Sequence, residues 1–356
     1  MTIRVLVVDD SWFMCKRIKE ILEEESDFEV VGIAKNGKEA LLMTVQLEPD
    51  VITMDVEMPV MNGIEAVQKI MAESPTGILM FSSTTQAGAQ ATLDALNAGA
   101  IDFLPKQLNE LDGNKETAKQ SLRHRVRMVA LQKKRIRDKT LQNNLISKKK
   151  TAPASLVIRR EPSPASGNNI DLLVIVASTG GPVAIQKVLT RLPSDCSFPI
   201  LIVQHMPENF TKSFSERLNQ LCKVTVKEAK HGDELKPGVA LLAPGGMQIE
   251  LKKGITKKTV SLRKKQKNEI YSPCADITLA SIAKVLSARV LTVVLTGMGA
   301  DGKEGAKKLK QKGAQIWAQD EASCTIYGMP KAIADAKIAD KIYSLDKIAS
   351  EFEKLY

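Results

Sequence analysis

The sequence has few of the features that would place the chain in a membrane or an oxidising compartment. Its 5 cysteines lie far apart without a CxxC pair, so neither a disulfide framework nor a zinc site is predicted. No apolar run reaches the roughly 20 residues that a membrane-spanning helix needs. The opening MTIRVLVVDD predicts a strand followed by acids rather than a signal peptide. A reduced, cytoplasmic protein is therefore expected.

Basic residues are few in the first third of the chain and crowded just after it. Residues 1–114 carry 8 Lys and Arg against 19 Asp and Glu, a net charge of −11. Residues 115–160 carry 15 against 2, a net +13, and residues 161–356 carry 28 against 20, a net +8. The overall charge of +10 therefore hides an acidic block joined by a very basic connector to a mildly basic block.

Apolar runs of strand length alternate with helical stretches in both blocks, which predicts two doubly wound α/β domains with parallel sheets. In the first block the runs are at residues 3–8, 28–34, 51–55, 77–82 and 101–104. In the second block they are at residues 171–177, 199–204, 239–243, 290–296 and 314–319. Residues 247–263 alternate charged with apolar residues and predict a two-stranded ribbon instead.

The connector predicts where the domains divide: one over 1–125, a basic linker over 126–168 and a second domain over 169–356. It begins with the helical stretch RHRVRMVALQKKRIRDK and ends in a tail of Pro, Ser and Gly that is typical of linkers. Such a helix would suit nucleic-acid binding. The alternative, which we favour, is the last helix of the first domain continuing into a solvated connector.

Acidic side chains gather at one predicted sheet edge in the first block. Asp9 and Asp10 follow the first strand, and Asp55 ends the third. Ser82 ends the fourth strand and Lys106 follows the fifth. Because the functional crevice of an open parallel sheet lies at the carboxyl ends of its strands, these side chains are expected to converge. Three neighbouring carboxylates repel one another, which favours a hard divalent cation, Mg²⁺.

The stretches VLVVDDS and MDVEMPVMNG, together with Ser82 and Lys106, resemble the receiver domain of bacterial two-component response regulators. The resemblance covers residues 1 to about 125 and implies a five-stranded flavodoxin-like fold. It implies that Asp55 accepts a phosphoryl group from a phosphohistidine. It also implies that Mg²⁺ is held by Asp9, Asp10, Asp55 and the backbone carbonyl of Glu57.

The same resemblance assigns the residues that would respond to the phosphoryl group. Lys106 would pair with its oxygens, and the Ser82 hydroxyl would move to hydrogen-bond it. Phe103 stands where the family has its switch aromatic residue. Gln107 departs from the pattern, since receivers usually have Pro after the lysine.

In the second block, LLVIVASTGGP takes a buried strand into a polar corner that begins with Ser178. A strand-end hydroxyl serves as a helix cap or as a nucleophile, and a nucleophile needs a base together with a group that orients the base. Of the 3 histidines, His124 lies in the basic helix and His231 in a turn. His205 directly follows an apolar strand, where it is either a structural hydrogen-bonding residue or the base.

A third strand runs into the glycine-rich stretch LTGMGADG, which contains Asp301. Asp301 is either the N-cap of the next helix or the group that orients His205. The glycines let backbone N–H groups approach a ligand, and Met298 would be the most suitable oxyanion donor. Ser178, His205 and Asp301 are therefore expected at one sheet edge. The stretch VASTGG lacks the G-x-S-x-G elbow, which excludes an ordinary lipase-like hydrolase.

Five motifs in order resemble the catalytic domain of the chemotaxis protein-glutamate methylesterase (CheB) family across about 170–340: ASTGGP, VQHMPENFTKSFSERL, GDELKPGVALLAPGG, LTGMGADG and DEASCTIYGMP. The resemblance implies a Rossmann-like domain with catalytic Ser178, His205 and Asp301. It also implies that Thr179 and the backbone of Met298 lie near the oxyanion.

The two resemblances together imply a phosphorylation-activated hydrolase of glutamate γ-methyl esters that also deamidates specific glutamines. The substrate would be the cytoplasmic domain of methyl-accepting chemoreceptors, and the phosphodonor a chemotaxis histidine kinase. No cofactor is expected for ester hydrolysis, and neither nucleic-acid binding nor membrane insertion is expected. The unphosphorylated receiver would hinder receptor access, helped by the opposite net charges of the two domains.

Two further departures and two other functions stay open at this point. Cys274 stands where the methylesterase family often has Ser, and Gln248 where some members carry His; both are expected to bear on substrate contacts. A DNA-binding response regulator would suit the basic connector, but no helix-turn-helix pattern is visible. A receiver-gated binding module with an inactive site would leave the intact Ser, His and Asp unexplained.

Overall fold

The structure is a computed structural model that describes residues 2–106, 115–132, 170–254 and 257–355. Within these ranges the chain forms two compact units, one built around a five-stranded sheet and the other around a seven-stranded sheet. No helix in this part of the chain has the length and apolarity needed to span a bilayer. Gln107 and residues 133–169 of the predicted linker lie outside the described ranges.

The strands of the first unit lie where the apolar runs predict them: β1 Ile3–Val8, β2 Phe28–Ala34, β3 Val51–Asp55, β4 Gly77–Ser82 and β5 Asp102–Pro105. Their order across the sheet is β2-β1-β3-β4-β5, which confirms the flavodoxin-like fold. The helices are α1 Trp12–Glu23, α2 Gly37–Leu47, α3 Gly63–Glu73, α4 Gln86–Ala98 and α5 Lys115–Ala130.

Asparagine side chains begin two of these helices. Asn36 Oδ1 accepts the N–H of Glu39 at 3.0 Å, and Asn62 Oδ1 accepts the N–H of Glu65 at 2.9 Å. Each glutamate also places a negative charge in the first turn, where the positive end of the helix favours it. These local signals fix where α2 and α3 begin, and with them the loops at the carboxyl edge of the sheet.

The basic helix α5 packs into the first unit, and its arginines are engaged there. Arg123 is 4% exposed; its Nε donates to the Ile21 carbonyl at 2.9 Å, and its guanidinium pairs with Glu24. Arg127 Nε donates to Asp27 Oδ2 at 2.8 Å. Apolar side chains of α5 belong to the core of this unit. In its described residues this stretch is therefore a helix packed on the first unit.

The second unit repeats the alternation of strands and helices. Its strands are β6 Leu172–Ala177, β7 Ile200–Gln204, β8 Thr225–Glu228, β9 Val239–Leu242, β10 Met247–Lys253, β11 Lys258–Lys264, β12 Val290–Val294, β13 Gln315–Gln319 and β14 Lys341–Tyr343. Its helices are α6 Gly181–Leu189, α7 Glu208–Leu221, α8 Ala275–Val285, α9 Lys303–Gln311, α10 Met329–Asp335 and α11 Leu345–Phe352.

The parallel sheet of this unit has the order β14-β13-β12-β6-β7-β9-β8. The five predicted strands form its centre, and every residue of β6, β7 and β12 is buried. The sequence pattern missed the two edge strands, β8 and β14. Both are short and carry exposed charged residues, as edge strands commonly do, so no apolar run marks them.

The predicted two-stranded ribbon is formed by β10 and β11, which pair antiparallel. Helix α8 is attached to β10 by side chains as well as by apolar contact. Thr278 Oγ1 donates to the Ile249 carbonyl at 3.0 Å, and Ser281 Oγ accepts the N–H of Leu251 at 2.9 Å. The ribbon therefore fixes the position of α8, whose first turn lies at the candidate active site.

Candidate active site and phosphorylation pocket

Three aspartates lie together at the carboxyl edge of the five-stranded sheet. Asp9 and Asp10 follow β1, and Asp55 is the last residue of the adjacent β3. Asp9 and Asp55 are buried and Asp10 is exposed, and one oxygen from each carboxylate lies within 4.8 Å of the others. Carboxylates this close repel one another, and carboxylate oxygens are ligands that Mg²⁺ takes. The residues present therefore fit such a cation.

The turn after Asp55 depends on a glycine. A Cβ on Gly63 would lie 2.0 Å from the Asp55 carbonyl oxygen, so a larger residue would force the turn to move. The Gly63 N–H donates to the Val56 carbonyl at 2.9 Å. The Glu57 N–H donates to Asp55 Oδ1 at 3.4 Å, so the backbone of Glu57 lies beside the carboxylate.

The other predicted residues of this pocket occupy neighbouring strand ends. Ser82 ends β4, and its hydroxyl donates to the Gly88 carbonyl of α4 at 3.0 Å. Lys106 follows β5, and its N–H donates to the Ser82 carbonyl at 2.6 Å. Phe103 is a buried residue of β5. A role for Ser82 on a phosphoryl group would require its hydroxyl to leave α4.

Ser178 and His205 are neighbours at the carboxyl edge of the seven-stranded sheet. They directly follow β6 and β7, whose last residues, Ala177 and Gln204, are register partners. The His205 N–H donates to the Ala177 carbonyl at 3.1 Å, and the Ser178 N–H donates to the Thr296 carbonyl at 3.1 Å. The structure thus brings these two predicted residues to adjacent strand ends.

Two buried polar side chains that the sequence pattern did not reveal hold these strand ends in place. Gln204 Nε2 donates to the carbonyls of Ser178 at 2.9 Å and His205 at 3.1 Å. Thr296 Oγ1 donates to the Thr179 carbonyl at 3.0 Å. The sequence shows only that a polar residue stands at each of these strand ends. Because polar residues at strand ends are ordinarily exposed to solvent, this pattern does not reveal that Gln204 and Thr296 are buried.

His205 is hydrogen-bonded to Asp301, as one interpretation of the sequence predicts. Its Nε2 lies 2.8 Å from Oδ2 of Asp301. An ionised carboxylate only accepts hydrogen bonds, so Nε2 carries a proton and donates it. The other ring nitrogen, Nδ1, is buried and has no hydrogen-bond partner among the described residues. Nδ1 is therefore the nitrogen left to take a proton, the reverse of the arrangement in chymotrypsin-like proteases.

Asp301 does not cap the helix that follows it, because Gly302 is the N-cap residue of α9. Its carboxylate instead accepts the first N–H groups of α8, from Ala275 at 2.7 Å and Asp276 at 2.9 Å. Burial raises the pKa of Asp301, but the hydrogen bond and charge of His205 and these backbone donors outweigh it. The pKa of Asp301 is therefore lowered, and the carboxylate is ionised at neutral pH.

The two departures from the methylesterase pattern lie behind this pair. Cys274 donates its S–H to Asp301 Oδ1 at 3.2 Å, and burial and the Asp301 charge raise the pKa of its thiol to about 12. Gln248 is fully buried. The Tyr271 ring, which no sequence signal marked, stacks on His205 with centroids 4.4 Å apart.

The glycine-rich loop after β12 lies against Ser178. A Cβ on Gly297 would come within 2.9 Å of the Ser178 Cβ and 3.0 Å of its backbone nitrogen, so only glycine permits this approach. The next residue is Met298, which is half-buried, and Thr179 is buried beside Ser178. Within the described ranges, the N–H of Met298 donates no hydrogen bond. Such an N–H is suited to receive an oxyanion.

Comparison with known proteins matches both units. Residues 5–116 match the response regulator receiver domain family, and residues 173–352 match the CheB methylesterase family. The protein-glutamate methylesterase/protein-glutamine glutaminase of Vibrio parahaemolyticus is 50% identical over 361 residues, covering 98% of this chain and 97% of that protein. The corresponding protein of Shewanella frigidimarina is 47% identical over 394 residues, covering 99% of each.

A solved structure agrees with these matches. The crystal structure of the Thermotoga maritima CheB methylesterase catalytic domain covers 53% of this chain and 100% of that chain, with a TM-score of 0.51 and 38% sequence identity. The domain order and the near-complete coverage by relatives extend this likeness to the whole chain. The chain therefore belongs to the protein-glutamate methylesterase/protein-glutamine glutaminase family, chemotaxis response regulators in which a receiver domain precedes a CheB methylesterase domain.

Proposed function

We propose that the chain hydrolyses glutamate γ-methyl esters with Ser178 as nucleophile, His205 as general base and Asp301 as the carboxylate that orients the base. The observation that carries this proposal is the 2.8 Å hydrogen bond between His205 Nε2 and Asp301 Oδ2, at the strand end next to Ser178. A serine becomes nucleophilic when a neighbouring base is held in one tautomer. An ionised Asp301 holds that tautomer.

Acylation follows from these positions. Ser178 Oγ attacks the ester carbonyl while His205 Nδ1 takes the hydroxyl proton, because Nε2 already carries one. Asp301 stabilises the imidazolium that forms. The Met298 N–H, with Thr179 beside it, receives the negative charge that develops on the carbonyl oxygen; losing one such donor costs about 10²–10³ in kcat.

Acylation ends when the imidazolium of His205 protonates the departing methanol. In deacylation a water attacks the acyl-enzyme with His205 again acting as base, and His205 then returns that proton to Ser178 Oγ as the glutamate carboxyl group leaves. Attack on a glutamine amide follows the same course with ammonia as the leaving group. Each of these proton transfers needs only Ser178, His205 and Asp301, so the ester reaction requires no cofactor from the protein.

For the substrate, we infer the cytoplasmic domain of methyl-accepting chemoreceptors. The relatives at 47–50% identity are named protein-glutamate methylesterase/protein-glutamine glutaminase, which places both reactions on protein side chains. A reduced cytoplasmic location agrees with that substrate and with the 5 free cysteines. No nucleic-acid partner is needed to explain the basic residues of α5, since Arg123 and Arg127 pair with acids of the first unit.

For the receiver, we infer that a chemotaxis histidine kinase phosphorylates Asp55 and thereby activates the hydrolase. The clustered oxygens of Asp9, Asp10 and Asp55 support this. Together with the Glu57 carbonyl they would hold Mg²⁺, which offsets the negative charge of the phosphoryl group.

The residues that would answer to the phosphoryl group lie on the next two strand ends. Lys106 would pair with its oxygens, and Ser82 would exchange its bond to Gly88 for one to the phosphate. Phe103 lies in β5, the strand that leads to Lys106, and its ring would reorient when Lys106 and Ser82 move. The DNA-binding alternative has no comparable support, because it leaves the His205–Asp301 pair unexplained.

The test is methanol release from a methylated receptor cytoplasmic fragment by the full chain. Ser178→Ala should abolish release, and Ser287→Ala, an exposed serine away from the site, should leave it unchanged. Ammonia release from a receptor fragment with glutamine at the same position tests the amide reaction. Wild-type release of methanol by folded Ser178→Ala would overturn the proposal.

A further inference from the structure

The segment between β11 and α8 lies directly against the His205–Asp301 pair, and we name residues 265–274 the strap. Tyr271 of the strap stacks on the His205 ring, with centroids 4.4 Å apart and ring planes 6° apart. Its last residue, Cys274, donates its S–H to Asp301 Oδ1 at 3.2 Å. The strap therefore touches both members of the pair.

A buried glutamine on the ribbon holds the strap at both of these points. Gln248, in β10, is fully buried. Its Nε2 donates to the Tyr271 carbonyl at 2.8 Å, and its Oε1 accepts the Cys274 N–H at 2.9 Å. Nε2 also donates to Glu269 Oε2 at 3.2 Å. One side-chain amide thus fixes the backbone on either side of the segment that joins Tyr271 to Cys274.

An ion pair anchors the strap to the second ribbon strand. Arg263 of β11 donates to both oxygens of Glu269, from Nη2 at 2.6 Å and from Nη1 at 3.1 Å. The hydrogen bonds from Arg263 lower the pKa of Glu269 to about 2, so the pair stays charged at neutral pH. Arg263 is also the register partner of Gln248, so both anchors lie at one level of the ribbon.

We propose that Tyr271 and Gln248 are positioning residues for His205, an inference that rests on the proposed role of His205 as general base. Asp301 holds one edge of the imidazole, and the Tyr271 ring fixes its plane, which sets the direction of Nδ1. An aromatic face also attracts a cation, so Tyr271 stabilises the imidazolium that forms when His205 takes the proton. Gln248 acts indirectly, by holding the main chain of Tyr271.

The attraction of the Tyr271 face to the imidazolium grows as the proton moves to His205, and the direction of Nδ1 matters only for that transfer. Both effects therefore belong to the transition state more than to the bound substrate. Removing them should therefore lower kcat and leave KM nearly unchanged. A residue that only supports the fold would instead lower stability, and a residue that only contacts substrate would raise KM.

The experiment measures kcat and KM of the full chain on a methylated receptor fragment, alongside urea unfolding. Tyr271→Leu removes the aromatic face from a half-buried position and should lower kcat about tenfold with KM within about twofold. Tyr271→Phe keeps the face and should retain at least about half of the wild-type kcat. Tyr343→Leu, which removes an aromatic contact to Trp317 at the far edge of the sheet, is the matched control and should leave kcat unchanged.

Gln248→Leu tests the second step of the proposal. It should lower kcat by a similar factor. The double variant, Gln248→Leu with Tyr271→Leu, should have about the same kcat as the slower of the two single variants, since both residues act on the same ring. The proposal is overturned if folded Tyr271→Leu keeps the wild-type kcat, if Tyr271→Phe is as slow as Tyr271→Leu, or if the two effects multiply. If Gln248→Leu does not fold, the Tyr271 variants decide. Ser178→Ala in the same series separates this inference from the proposed function, which fails only if that variant is active.

Discussion

At the scale of single residues, local environment gives similar groups opposite roles. Asp301 is buried, yet its pKa is lowered because His205 and two N–H groups of α8 all donate to it. Cys274 is bonded to the same carboxylate, and burial together with that charge raises the pKa of its thiol to about 12. Asp301 is thus kept ionised and Cys274 protonated. The thiol therefore donates a hydrogen bond to the carboxylate, and a thiolate that could accept the proton of His205 does not form.

The charge of Asp301 can be tested by Asp301→Asn. Without the negative charge the imidazolium of His205 loses its stabilising partner, so kcat should fall by about 10³–10⁴. The lowered pKa of Asp301 also stabilises the fold above its ordinary value of 3.8, and that contribution is lost as pH falls through the lowered pKa. The difference in unfolding free energy between wild type and Asp301→Asn, measured in urea, should therefore shrink in acid. A difference that does not shrink as the pH is lowered from neutral to well below 3.8 would contradict an ionised, paired Asp301.

At the scale of elements, the site is made where strand ends, a helix start and a glycine loop meet. Adjacent strands β6 and β7 carry Ser178 and His205, and the loop after β12 carries Asp301. The first turn of α8 is aimed at the Asp301 carboxylate, and a helix N-terminus favours a negative charge. The contact of Gly297 with Ser178 fixes the distance between the two loops.

That contact predicts the effect of Gly297→Ala. The added methyl would lie 2.9 Å from the Ser178 Cβ, so the loops must part, at a cost of about 1–3 kcal/mol in unfolding free energy. Displacing the nucleophile by a fraction of an ångström to 1 Å should lower kcat by about 10²-fold. Gly232→Ala is the control: it is strained by a φ of +85° but meets nothing within 4 Å, so it should lower stability without lowering kcat. Equal kcat for both variants would show that Gly297 does not set the position of Ser178.

The sequence predicts some of these elements better than others, for physical reasons. Apolar runs mark β1 to β7, β9, β12 and β13, which therefore follow from hydrophobicity even where, as for β2 and β5, the strand lies at a sheet edge. Strand-end residues such as Ser178 and His205 follow with them. The edge strands β8 and β14 carry no such pattern. The aim of α8 at Asp301 and the stacking of Tyr271 on His205 depend on how distant segments pack, for which a single sequence holds no local signal.

At the scale of the whole molecule, the net charge differs in sign between the two domains. The first 114 residues have a net charge of −11, and residues 161–356 have +8. The arginines of α5 pair with Glu24, Glu25, Asp27 and Asp102 of the receiver. The positive charge of this helix therefore neutralises acids of its own domain. The three clustered aspartates, Asp9, Asp10 and Asp55, which we propose form the phosphorylation pocket, are separate from these pairs.

Because the aspartate cluster and the Ser178, His205 and Asp301 site lie in different domains, we predict that metal ions affect activation and not basal hydrolysis. A small phosphodonor with Mg²⁺ should raise methanol release by the wild-type chain roughly tenfold, in the range of ordinary coupling free energies. Asp55→Asn should stay at the basal rate with or without the phosphodonor. Chelating Mg²⁺ should remove the activation and leave basal release intact, because Ser178, His205 and Asp301 need no metal. Activation of Asp55→Asn to the wild-type level would place the phosphorylation elsewhere.

The central claim is that Ser178 is a nucleophile activated by His205, and covalent labelling tests it most directly. The full chain is treated with a serine-directed fluorophosphonate, and the modified residue is identified by peptide mass spectrometry in wild type, Ser178→Ala and His205→Gln. We expect a single adduct on Ser178, no adduct in Ser178→Ala, and labelling at least about 10³-fold slower in His205→Gln. An adduct on a different serine, or wild-type labelling of Ser178 in folded His205→Gln, would contradict the account.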